Sequence, residues 1–203
     1  RNSKATLTYD SYVGMQEPWK YMALLNAEQY GVLMNESRAA AGLSALPGLT
    51  DPTSLGEGTN WQDAMFERAP MANHSVLYTN GTETSSIAMG ASHFSQDGII
   101  GGDKGRFERT TFRVNSEQQA GDRFRVGQNV TFTHIKRNAL AENNEFSTPV
   151  LRALNIDPVT AVTRNDGTYA YTDYIDSDIV NPINQIEQTF DNWTTNRFVG
   201  NVF

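Results

Sequence analysis

Two tight glycine turns, each set between stretches in which polar and apolar residues alternate, constrain this chain more than any other feature. Asn80-Gly81-Thr82-Glu83 joins one pair of such stretches, and Gln119-Ala120-Gly121-Asp122 joins another. Glycine supplies the positive φ that a short hairpin turn needs. Alternation marks a half-buried strand, because successive side chains of a strand point to opposite faces. Six segments read as strands: 5–14, 71–80, 84–94, 107–118, 123–136 and 195–203. In the first, Leu7, Tyr9, Ser11 and Val13 share a face. In the fourth, Thr110, Phe112 and Val114 oppose Arg109, Thr111, Arg113, Asn115 and Glu117. In the fifth, Phe124, Val126, Val130 and Phe132 oppose Arg125, Asn129, Thr131 and Thr133. In the sixth, Phe198, Gly200 and Val202 share a face.

The other connections read as long, over 15–70, 95–106 and 137–194. The order long, short, long, short, long puts tight turns at one end of a sheet and long loops at the other. That is the habit of outer-membrane barrels, whereas a soluble sandwich spaces its turns more evenly. The long segments hold structure of their own. Residues 26–41 read as a helix with Asn26 as N-cap and Gly42 as its stop. A short helix is expected over 60–66 and a helical turn over 147–155. A small hairpin is expected around Asn165-Asp166-Gly167, and a helix from Asn181-Pro182 to Gln188.

A net charge of −7 and scattered basic residues exclude a nucleic-acid-binding strip. The absence of cysteine rules out disulfides and thiolate metal sites. No apolar run reaches the roughly 18 residues of a membrane helix, but a barrel strand needs only about 10 alternating residues. The chain opens on Arg1-Asn2-Ser3-Lys4 with no leader-like segment, as a mature protein or a part of a longer one would.

Catalytic and metal signatures are weak. His74, His93 and His134 fall in three different strands. They read as isolated strand histidines near a membrane interface rather than as ligands. No G-x-S-x-G elbow supports a hydrolase, and the chain is read as a non-enzyme without cofactor. Asp173, Asp176 and Asp178 lack the glycine and closing glutamate of a calcium loop, so they read as a solvated acidic loop. Gly98, Gly101, Gly102 and Gly105 read as a flexible hairpin loop, because no Gly-Lys-Ser/Thr follows them. The aromatics Tyr30, Trp61, Tyr169, Tyr171, Tyr174 and Trp193 are of a kind that stacks on sugars or peptides; they are read first as small cores of the loops.

Several stretches carry a family resemblance. They are Leu24-Leu25-Asn26-Ala27-Glu28-Gln29-Tyr30, the run from Asn60 to Pro70 (NWQDAMFERAP), the run from Ser92 to Ile100 (SHFSQDGII), the run from Arg123 to Thr133 (RFRVGQNVTFT), and Asn181-Pro182 followed by the run from Thr195 to Val202 (TNRFVGNV). In order and spacing they resemble SusC-like (RagA-like) TonB-dependent outer-membrane transporters of Bacteroidota. The resemblance covers nearly the whole chain.

It implies an all-β fold, the first part of an antiparallel transmembrane barrel with long extracellular loops containing short helices. Residues 1–203 would be the start of that barrel, with the plug domain and the other strands outside the chain. A member has about 22 strands, so six cannot close. The implied function is TonB-dependent import of a glycan or oligopeptide. The implied partners are a SusD-like surface lipoprotein, the TonB complex through the plug, and outer-membrane lipid. On this reading Arg109, Arg113, Asn115, Glu117, Arg125 and Asn129 face the lumen, where the family's plug meets them ahead of any substrate. Phe112, Val114, Val126, Val130 and Phe132 face lipid. The rival reading is a secreted β-rich adhesion or glycan-binding module, which would bury those five residues beneath a second layer. A periplasmic enzyme ranks last.

Overall fold

A computed structural model of the chain describes residues 3–140, 148–174 and 179–203. Six strands form one antiparallel sheet in sequence order: β1 (Thr6–Gln16), β2 (Ala69–Gly81), β3 (Ser85–Gly98), β4 (Gly102–Ala120), β5 (Phe124–Asn138) and β6 (Asn192–Val202). Each strand pairs with the next in sequence. This is the architecture of a partial β-barrel. No helix among the described residues is long and apolar enough to cross a membrane.

The two glycine turns sit at one end of the sheet, as the alternation implies. Gly121 takes φ +69° there, but Gly81 does not supply the expected positive φ: it is the last residue of β2, paired with Ser86, and the turn beyond it is closed by Thr82 N donating to the Ser85 carbonyl at 2.7 Å. The other end departs from expectation at one connection. Residues 95–106 are not a long loop: β3 runs on to Gly98, β4 starts at Gly102, and a tight turn with Gly101 at φ +67° joins them past a register shift after Gln96. The glycines let the backbones close up. A Cβ added to Gly98 would lie 2.9 Å from the Ile100 carbonyl oxygen and 3.1 Å from Gly105 Cα.

Two long connections remain, after β1 and after β5, and together they form a helical cap at that end. The first carries α1 (Ala27–Ala40), a 3-10 turn at Pro52–Leu55, and α2 (Trp61–Met65). The second carries α3 (Pro149–Asn155) and α4 (Pro182–Gln188). Ser147, where the expected helical turn begins, lies outside the described residues. Asparagine caps start three of these helices, because its short carbonyl satisfies N–H groups that have no partner within the helix. Asn26 accepts from Gln29 N at 2.8 Å, and the Gln29 side chain accepts from Asn26 N, completing a capping box on α1. Asn60 and Asn181 cap α2 and α4 through the side-chain oxygen alone, which accepts from Gln62 N and Asp63 N in one and from Ile183 N and Asn184 N in the other.

The buried core belongs to this cap rather than to the sheet. Trp61, Met65, Ala153, Ile156 and Ile186 form its centre, with Phe66, Ile100, Leu140 and Ile183 packed around them. It holds the two long connections against each other and against the β3–β4 turn.

Candidate functional site

The strand register sorts the side chains of the sheet onto two unlike faces. On one face, Tyr9, Val76, Ala91, Phe112, Phe132 and Phe198 stand in a single row across all six strands. Leu7, Tyr78, Met89, Val114, Val130 and Gly200 form the next row. From the row containing the histidines to the glycine turns, the strands place no Asp, Glu, Lys or Arg on this face. Phe112, Val114, Val126, Val130 and Phe132 all lie on it. Phe112 is 51% exposed, Val126 52% and Phe132 36%, and Val114 and Val130 are half-buried by their sheet neighbours. None of the five belongs to the buried core, so the second layer required by a soluble module is not found among the described residues.

The apolar band slants across the register, and the slant has a physical size. Its centre lies at Ser11 in β1, between Leu7 and Met15, and at Gln128 in β5, between Phe124 and Phe132. Following the pairing from Ser11 through His74, His93 and Thr110 leads to His134, so the band has moved six residues along β5. Barrel strands tilt by about 40°. With strands about 4.8 Å apart and a rise of about 3.3 Å per residue, a band level with a membrane plane should shift by about 1.2 residues per strand, or about five over four strands. The observed slant matches that of tilted strands crossing a flat slab.

The opposite face is polar and cationic. It carries Arg109, Arg113, Asn115, Glu117, Arg125 and Asn129, all on one side as alternation implies. Arg125 Nε pairs with Glu117 Oε1 at 3.1 Å. The Arg109 guanidinium sits 6.0 Å from the centroid of the Phe94 ring. The register adds Arg137 and Arg197 to this face. The sequence reading missed both, although Arg197 alternates with Phe198 and its face followed from that. Trp193, read as a loop aromatic, is instead an exposed residue of β6 on the same face.

The histidines are less scattered than their sequence positions imply. His74 and His93 are direct cross-strand partners, and Thr110 links His93 to His134 in the same row. Each ring is tied to a different neighbour. His74 Nδ1 bonds the Tyr9 hydroxyl at 2.7 Å, His93 Nδ1 the Thr110 hydroxyl at 2.9 Å, and His134 Nδ1 the Asn196 side-chain oxygen Oδ1 at 2.7 Å. No group of three or more metal-ligating side chains is found among the described residues. Asp176 and Asp178, two of the three carboxylates weighed for calcium, lie outside them.

The cap joins the two long connections at a seam. Gln62 donates to the Met22 carbonyl at 2.8 Å and accepts from Met22 N at 2.9 Å, holding the chain that leaves β1. Trp61 Nε1 donates to the Asp157 carbonyl at 2.9 Å. The Asp157 carboxylate is buried and accepts from Thr160 N at 2.7 Å, from Thr160 Oγ1 at 2.9 Å and from the Thr172 hydroxyl. A cavity of about 330 Å³ opens beside this seam, lined by Leu24, Leu25, Tyr30, Trp61, Ile156 and Pro158 among others. Burial raises the Tyr30 phenol above its ordinary range, and the Asp157 charge adds to the effect. Trp61 is therefore a core residue and Tyr30 a cavity wall. Tyr171 is exposed, with Arg164 5.6 Å from its ring centroid. Tyr169 bridges Thr163 in the expected hairpin, and Tyr174 meets Gly48.

No family model matches the chain, and no curated protein matches it. Solved structures do. The chain superposes on one chain of the RagAB peptide transporter with a TM-score of 0.65 at 14% identity, covering 84% of this chain and 22% of that one. It also superposes on the RagAB peptide importer in its open-open state (0.65, 15% identity) and its closed-closed state (0.64, 13% identity). The coverages there are 84% and 83% of this chain and 22% of the other in both cases. At these identities the likeness is one of fold, that of part of a β-barrel. The chain spans 22% of the length of the structures it matches. An outer-membrane β-barrel location is compatible with that fold.

Proposed function

We propose that this chain is part of the wall of a SusC-like, TonB-dependent outer-membrane importer. The observation that carries the reading is the apolar band, free of charge from the histidine row to the glycine turns and slanted from β1 to β5 by about the amount that barrel tilt requires. On this reading Phe112, Val114, Val126, Val130 and Phe132 meet outer-membrane lipid. Arg109, Arg113, Asn115, Glu117, Arg125 and Asn129 look into a lumen occupied by a plug. The helical cap lies on the extracellular side, near a surface lipoprotein of the SusD type, and TonB acts through the plug. The RagAB likeness favours an oligopeptide over a glycan as the imported nutrient. The chemistry is translocation, and no residue here makes or breaks a covalent bond.

The test is extraction of the native protein from outer membranes, with peptide mapping onto this sequence. A detergent-requiring species near 100 kDa, roughly the mass of ~22 strands plus a plug, is expected, together with a co-purifying lipoprotein and energised uptake of short peptides. A water-soluble species of about this chain's own size would sink the reading.

A further inference from the structure

Between the Phe107 row and the glycine turns, the face opposite the apolar band holds five arginines, Arg109, Arg113, Arg125, Arg137 and Arg197, against two carboxylates, Asp10 and Glu117. This excess of positive charge stands out in a chain whose net charge is −7. The strands place no lysine on the face, and Tyr12, Phe94, Phe107 and Trp193 stand among its arginines. Enrichment in Arg and aromatics, with Lys and acids depleted, is the composition of a surface that packs against protein rather than one that lines water. The guanidinium is weakly hydrated and lies flat against carboxylates and rings.

Arg125 and Arg109 find partners within the sheet, in Glu117 and Phe94. No hydrogen bond or ion pair holds Arg113 or Arg197 among the described residues. Beside Arg113 the face sinks into a depression of about 280 Å³, walled by small residues that include Ser75, Ala88, Gly90 and Ser92, with Leu77 at one side. Ligand pockets run from about 300 to 1,000 Å³, so this hollow suits one or two side chains better than an oligomeric solute.

We infer that this face packs against an acidic surface of the plug, with a carboxylate side chain seated in the depression against Arg113. The inference rests on the barrel reading above. It adds the charge of the plug surface and the point of contact. A guanidinium enclosed without a counter-charge is strongly destabilising, so a neutral or basic surface does not fit here.

The experiment places photoreactive benzoylphenylalanine at Ser92 in the intact protein, irradiates native outer membranes without added peptide, and maps the product by mass spectrometry. The expected product joins the Ser92 peptide to a plug peptide with Asp or Glu beside the attachment point. In the same membranes Arg113→Glu should expose the plug to protease, and reversing the mapped carboxylate to Lys should restore protection. A cross-link to a plug segment without a carboxylate, to a separate protein or to cargo overturns the inference. So does an intact plugged barrel that gives no cross-link. If Arg113→Glu does not assemble, the cross-link decides alone. A preparation in which mapping finds no barrel or plug overturns the transporter reading instead.

Discussion

Asn181 offers the sharpest test of how the cap is held. Its side chain is fully buried (0% exposed) and uses its whole hydrogen-bonding capacity. Nδ2 donates to the Val162 carbonyl at 2.8 Å and to the Ala170 carbonyl at 3.1 Å. Oδ1 accepts from Ile183 N at 3.0 Å and Asn184 N at 3.2 Å, capping α4. Asn181→Ala removes all four bonds. Loss of the cap costs about 1 kcal/mol. The Val162 carbonyl keeps a second donor in Ala170 N at 3.2 Å, so its loss is softened. No other donor reaches the buried Ala170 carbonyl among the described residues, and orphaning such a group costs about 1–3 kcal/mol. The sum is about 2–4 kcal/mol, or roughly a 30- to 700-fold change in local opening. Amide exchange of the protein in detergent should show that loss of protection in α4 and around 162–170, with the strands unchanged. Asn181→Asp keeps the cap acceptor but sets a buried carboxyl oxygen against the Val162 and Ala170 carbonyls, so exchange around 162–170 should rise at least as far as in the alanine variant. Unchanged exchange in α4, or an equal effect in β4 and β5, would refute the idea that one side chain ties the helix to the hairpin.

Three further expectations follow from particular contacts. Arg at Val114, midway between Met89 and Val130 on the apolar face, should cost about 2–4 kcal/mol if lipid covers it. Arg at Thr8, on the other face near Asp10, should cost well under that, and equal losses of folded barrel on a heat-modifiability gel would contradict the proposed lipid-facing side. Gly58 has φ +70°, and a Cβ there would meet the Pro158 carbonyl oxygen and lie 2.5 Å from Ala27 Cβ. Gly58→Ala should therefore open the seam, with about 1–2 kcal/mol from the left-handed backbone alone; slow, unaltered exchange of Thr59 N–H, which bonds Pro158 O at 2.8 Å, would count against this. The Asp166 carboxyl is held below its ordinary range, chiefly by the Thr168 hydroxyl at 2.6 Å and then by Thr168 N at 2.9 Å. A depressed folded value means the contribution is present above the ordinary carboxylate range and lost as pH falls through the depressed one. The 163–169 hairpin should loosen only in that acid window, and Asp166→Asn should abolish the pH step in Thr168 exchange.

The faces of β4 and β5 were legible because two-residue periodicity needs no knowledge of neighbouring strands. The capped helices were legible because Asn26, Asn60 and Asn181 announce unpaired N–H groups locally. The 95–106 connection was misread because Gly98, Gly101, Gly102 and Gly105 carry no side chains, and the alternation vanishes where the strands approach closest. The histidine row depends on register, and a tight turn fixes register only when its centre is known. The sequence reading centred the first hairpin on Asn80–Glu83, whereas Gly81 still pairs with Ser86, and that difference of two residues is what sets His74 opposite His93. Reaching His134 needs the β3–β4 pairing, and placing Arg197 beside the arginines of β4 and β5 needs the β5–β6 pairing. The first runs through the glycine-rich turn and the second through a long connection, neither of which declares a register. A chain of net negative charge thus hides a cationic face until its strands are aligned. Once aligned, the band without charge and the face with arginines turn out to be one pattern. Between the histidine row and the glycine turns, every Asp, Glu and Arg that the strands carry lies on one side, and only beyond that row do Glu108 and Lys136 stand on the side of the apolar band. A sheet in water gains nothing from separating charge so completely, whereas a wall between lipid and a packed interior is destabilised by each exception.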